Sequence, residues 1–82
     1  MITIDLGNMA MSISADKMIL ETKPLERFDA FEVMRIIEDE FLGTIAVLGD
    51  ADTNGKYPVQ VWDPKRIYSS ERIANRIQRL LN

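Results

Sequence analysis

Asp50, Asp52 and Asn54 alternate along one short stretch and are followed at once by Gly55. Three oxygen-bearing side chains at every second position, then a glycine, match the first half of an EF-hand calcium loop. There the side chains converge on a hard cation while the glycine allows a sharp turn. The match fails further along. The twelfth loop position falls on Val61, where a bidentate glutamate is needed, and an apolar strand pattern rather than a helix precedes the loop. A hairpin loop built from turn-forming residues is therefore the expected reading, with Asp50, Asp52 and Asn54 kept only as a weak calcium candidate. Asp50 together with Asp63 and Lys65 invites a second comparison, with magnesium-dependent nucleases that hold the metal on two carboxylates and steady the attacking water with a lysine. Here no proline leads that pattern, since Gly49 precedes Asp50, and Pro64 stands between acid and lysine. Neither constellation is complete. No histidine or cysteine exists in the chain to supply the commonest general base, nucleophile or transition-metal ligand. The expectation is a non-enzyme that needs no cofactor and no metal.

The stronger signals are on surfaces. Arg72, Arg76 and Arg79 recur at the spacing of one helical stripe, about 110° from the neighbouring apolar face, and Lys65 and Arg66 extend the patch. Such a row serves a protein partner, a phosphate or nucleic acid, or simply pairs with acidic groups of the same chain. Glu38-Asp39-Glu40 stands near the end of a helical pattern, where the helix dipole disfavours negative charge. A basic neighbour would offset that cost, and the arginine row is the obvious one, within the chain or across a dimer. Phe31 and Leu42 lie about 100° from the centre of the same helix's apolar stripe, and Ile36 falls between Glu32 and Glu40 on its polar side.

Charge is segregated along the chain. Residues 1–55 carry 4 basic and 11 acidic side chains, a net of −7, while residues 56–82 carry 6 and 2, a net of +4. The overall charge of −3 forfeits the long-range attraction most nucleic-acid binders use. With 82 residues and 46% hydrophobic side chains, the chain is one domain's worth and too apolar to be disordered. Met1-Ile2-Thr3-Ile4-Asp5 has no basic region before an uninterrupted apolar stretch, so no signal peptide is expected, and no apolar run reaches membrane-span length. A cysteine-free chain fits a reducing, cytoplasmic compartment.

The elements that must position these groups follow from periodicity. Gly7-Asn8 suits a two-residue type II′ turn, and with it Ile2 faces Ile13, Ile4 faces Met11 and Leu6 faces Met9, so apolar meets apolar throughout. Strands at 2–6 and 9–14 follow, one long strand bulged at Gly7 being the rival. A turn at Asp16-Lys17 leads to a third strand over 18–22, ended near Pro24. A helix over 29–42 is marked by Asp29 and Glu32 as a capping box, Phe28 and Val33 as a hydrophobic staple, and Gly43 just past its end. Its stripe is Ala30, Val33, Met34, Ile37 and Phe41. Thr44–Leu48 reads as a strand buried on both faces, and residues 58–62 as another, with Pro58 fitting only its start or an edge. Ser69 caps a helix over about 70–81 whose core stripe is Ile73, Ile77, Leu80 and Leu81.

The order β-β-(β)-α-β-β-α implies an α+β fold, a mostly antiparallel sheet of four or five strands covered by two helices, in a single domain over 1–82. With no complete catalytic motif, binding is the expected task. The leading expectation is a small protein-binding module, an inhibitor or regulator of the kind phage and accessory genes encode, able to self-associate. Its contact residues would be Phe31, Ile36, Glu38, Asp39, Glu40, Arg72, Arg76 and Arg79. Phosphate or nucleic-acid binding through the arginine row is the alternative, and no membrane is involved.

Overall fold

The computed structural model describes residues 2–5, 7, 9–13 and 18–81. Strands β1 (Ile2–Asp5) and β2 (Met9–Ile13) pair antiparallel with Ile2 opposite Ile13 and Ile4 opposite Met11, the register that apolar matching requires. Gly7 turns the chain at φ +81°, a conformation cheap only for glycine. This pairing excludes the single bulged strand. The Leu6–Met9 pairing and the turn at Asp16-Lys17 lie outside the described residues.

β3 (Met18–Thr22) continues the meander on β2. The chain then forms helix α1 (Arg27–Glu40), strand β4 (Ile45–Leu48), strand β5 (Val59–Trp62) and helix α2 (Ser70–Leu81). All five strands form one antiparallel sheet in the order β1-β2-β3-β5-β4. β5 thus inserts between β3 and β4, and β4 becomes an edge. α1 lies over β4 and β5, and α2 over β3. Between sheet and helices Met9, Leu20, Val33, Ile37, Val59, Val61, Ile73 and Ile77 form the buried core.

Three local expectations are corrected. α1 starts three residues earlier than the capping box places it. Glu26 occupies the N-cap with no side-chain hydrogen bond, Asp29 falls in the first turn, and Phe28 is 78% exposed, so there is no staple onto Val33. The cause is tertiary: Leu25 and Tyr57 exchange backbone hydrogen bonds of 2.7 and 2.8 Å, which fixes the chain immediately before the helix. At its other end the helix stops at Glu40 with Phe41 as C-cap, so Gly43, left-handed at φ +90°, lies in the turn beyond rather than next to the last helical residue. Finally, β4 is buried on one face only. Ala46 faces the helices, while Ile45 and Val47 sit on the uncovered face of an edge strand.

The join between β3 and β5 contains a bulge. Glu21 pairs with Gln60 and Leu25 with Tyr57, so Thr22, Lys23 and Pro24 stand against only Pro58 and Val59. Two prolines here lack amide donors. Thr22 Oγ1 fills the gap in the ladder by accepting the Val59 N–H at 3.0 Å and donating to the Lys23 carbonyl at 2.9 Å.

Candidate interaction surfaces

The two oxygen-rich segments serve the fold. In the β4–β5 loop, Asp52 Oδ1 accepts the amides of Asn54 and Lys56, both at 2.9 Å, and its own N–H reaches the Lys56 carbonyl at 2.8 Å. This is the self-bonded turn that aspartate favours, closed by Gly55 at φ +75°. After β5, the Asp63 carboxylate gathers the amides of Lys65 at 3.0 Å, Ile67 at 2.7 Å and Tyr68 at 2.9 Å. Those amides, that of Tyr68 foremost, hold its carboxyl below the usual aspartate range against the opposing effect of burial. They also hold Arg66 in the left-handed region at φ +54°. Asp63 is the organiser of the loop that delivers the chain to α2. Among the described residues no three acidic side chains come together to hold a metal.

α2 begins as its sequence requires, with Ser69 Oγ accepting the Arg72 N–H at 3.1 Å. Its Ile73, Ala74 and Ile77 are buried, with Leu80 and Leu81 packed against the core's margin. The arginine row therefore faces the seam with α1. Arg76 grips Glu40 with two hydrogen bonds, Nε to Oε2 at 2.6 Å and Nη2 to Oε1 at 2.8 Å. This bidentate pair lowers the Glu40 carboxyl and raises the Arg76 guanidinium from their ordinary values. Arg72 lies over the Phe41 ring at 5.9 Å, and Phe41 in turn meets Tyr68 edge to face at 5.1 Å. Arg79 is exposed at the end of the same shallow groove. The basic and acidic halves of the chain thus meet inside one molecule.

The residues expected to form one contact surface divide between two sides of α1. Ile36 and Glu40 face α2, where Ile36 shares a crevice with Leu80 and Leu81. Ile36 is consequently half-buried rather than stranded on a polar face. Asp39 lies 3.8 Å from Arg35, which also bonds Glu32 at 2.6 Å. Phe31 and Glu38 project from the opposite side of the helix, about 100° from its buried stripe, and that side overhangs the β4 edge.

This second flank was not assembled by sequence reasoning. Phe31 is 46% exposed and Leu42 71%, and on the opposite, uncovered face of the β4 edge Ile45 and Val47 are exposed by 38 and 36%. Trp62 lies beside Ile45 on the same uncovered sheet face, which turns polar inward through the Gln60–Glu21 hydrogen bond of 2.7 Å. The signal available in sequence was the off-stripe position of Phe31 and Leu42, but only the strand order brings an edge strand beneath them. Comparison of the chain with family models, with curated proteins and with solved structures returns no significant match. No helix among the described residues is long and apolar enough to cross a membrane.

Proposed function

We propose that this chain is a non-enzymatic protein-binding module, an inhibitor or regulator of a partner protein, that binds through the flank where the outer side of α1 meets edge strand β4. One observation carries the reading: of the seven large apolar side chains left exposed among the described residues, four flank the β4 edge, Phe31 and Leu42 from α1 and the turn after it, and Ile45 and Val47 on the uncovered sheet face. Scattered exposed apolar residues are ordinary on a folded surface, whereas a group that borders an open strand edge offers both apolar area and backbone hydrogen bonds. The acidic side chains best placed for chemistry, Asp52 and Asp63, are occupied by backbone amides, which favours binding over catalysis. The arginine row gives weaker support to phosphate or nucleic-acid binding, because Glu40 neutralises its middle member.

The test is capture of binding proteins from lysate by tagged chain and by variants in two groups. Phe31→Lys, Leu42→Lys and Val47→Lys alter the flank; Arg72→Glu and Arg79→Glu alter the seam. Loss of capture confined to the first group is the expected result. Unchanged capture by all flank variants overturns the proposal, and loss confined to the arginine variants moves the surface to the seam.

A further inference from the structure

Resting on that reading of the flank, we infer that its occupant is a second copy of this chain, joined by antiparallel β4–β4 pairing about a two-fold axis that also packs α1 against α1. Three features of the flank lead to this partner. The first is the strand edge. Gly49 donates to the Pro58 carbonyl at 2.8 Å, in register with the β4–β5 ladder. Strand alternation then turns the amides of Ile45 and Val47 toward β5 and those of Ala46 and Leu48 outward. Under a two-fold through Val47, Ala46 of each copy meets Leu48 of the other, so the outward donors and acceptors match themselves.

The second feature is charge. Arg27, Phe31, Met34 and Glu38 share the outer side of α1 by helical spacing. Among the described residues neither Arg27 nor Glu38 has an ion-pair partner; Arg27 rests over the Phe31 ring at 5.6 Å. Antiparallel α1–α1 packing centred between Phe31 and Met34 sets Arg27 opposite Glu38 of the other copy, twice, and Phe31 against Met34. The flank is complementary to itself.

The third feature is that one axis serves both layers. Val47 lies three residues past the reversal at Thr44, about 10 Å at the rise of a strand. The centre between Phe31 and Met34 lies about 13 Å back from Phe41 at the rise of a helix. The two centres stand nearly level. Because α1 straddles β4 and β5, joining β4 edges at strand spacing leaves the α1 axes about 10 Å apart, a normal helix-packing distance. Ile45, Val47 and Trp62 of the two copies then form one apolar strip on the joined sheet.

Sedimentation equilibrium of the full chain, from micromolar to submillimolar protein, should give a dimer. Arg27→Glu should weaken its dissociation constant about tenfold or more at low salt, since two attractions become repulsions. The exchanged variant Arg27→Glu/Glu38→Arg should recover most of that loss. Val47 faces its own copy as a non-hydrogen-bonded pair with Cα atoms about 4.5 Å apart, within disulfide reach. As the native chain has no cysteine, Val47→Cys should oxidise to a linked dimer far faster than Ile67→Cys, although Ile67 is the more exposed position, at 64% against 36%, because Ile67 is distant from the edge. Circular dichroism of each variant separates loss of pairing from loss of folding. A monomer at every concentration overturns the inference. So does a dimer indifferent to Arg27→Glu and to its rescue, or equal oxidation of the two cysteine variants. A monomer whose flank variants still lose capture of another protein removes the second copy as occupant and leaves the binding reading standing.

Discussion

Replacing Thr22 with valine removes one hydroxyl from the protein interior while conserving shape. That hydroxyl accepts the Val59 N–H at 3.0 Å inside the β3–β5 bulge, where Pro24 and Pro58 leave no ordinary ladder partner. Thr22 is 3% exposed and Val59 fully buried, so water cannot replace the lost acceptor. A buried donor left unpaired costs about 1–3 kcal/mol, and in a domain of this size each kcal/mol moves the melting temperature by about 4–8 °C. Thr22→Val should therefore lower Tm by roughly 4–24 °C, while Thr22→Ser, which keeps the acceptor, should lose clearly less. Urea unfolding followed by the fluorescence of Trp62, the chain's one tryptophan, gives the free energy, and amide exchange at Val59 reports the local opening directly. Thr44 supplies the control of opposite sign. Its Oγ1 is buried without a hydrogen-bond partner among the described residues, so Thr44→Val should be neutral or raise stability by about 1 kcal/mol. If Thr22→Val matches the native chain in stability and in Val59 exchange, the hydroxyl does not complete the ladder and the account of the bulge is wrong.

Acid should destabilise the fold partly through Asp63 and Glu40. The folded value of each is depressed, by the Tyr68 amide above all for Asp63 and by the Arg76 hydrogen bond for Glu40. Their stabilisation is therefore complete above the ordinary carboxylate range of about 3.9–4.3 and is lost as pH falls through the lower folded values. The urea midpoint should drop across that window, and Asp63→Asn should flatten the drop while leaving a loop less well ordered at neutral pH. Gly49→Ala should cost about 1–3 kcal/mol, because an added Cβ would come 2.7 Å from Pro58 Cγ; a variant with unchanged Tm would mean that this contact relaxes freely. Ser69→Ala should cost about 1 kcal/mol through loss of the Arg72 amide's acceptor, with thermal melts as the readout.

Much of the architecture follows from nearest-neighbour chemistry. The β1–β2 register comes from apolar alternation on either side of a residue that must be glycine, and α2 from a serine cap placed ahead of apolar residues at helical spacing. These signals act within a few residues, so they survive without knowledge of the rest of the fold. The start of α1 does not: good local capping residues at Asp29 and Glu32 lose to the Leu25–Tyr57 bridge, a contact between distant segments. The same holds for β4, whose unbroken apolar run suits burial on both faces but which the strand order places at an edge. Residue types alone place the arginine row beside an apolar stripe and the acidic triplet at a helix end, and the helix pairing decides that Arg76 and Glu40 neutralise each other. It also decides that Ile36 is covered by α2 whereas Phe31 is not, though both leave the same helix outside its buried stripe. Sequence by itself determines which groups are apolar, charged or turn-forming and how they repeat. Which of them meet, and which remain at an open edge, depends on the insertion of β5 between β3 and β4, and no local pattern encodes that long-range pairing.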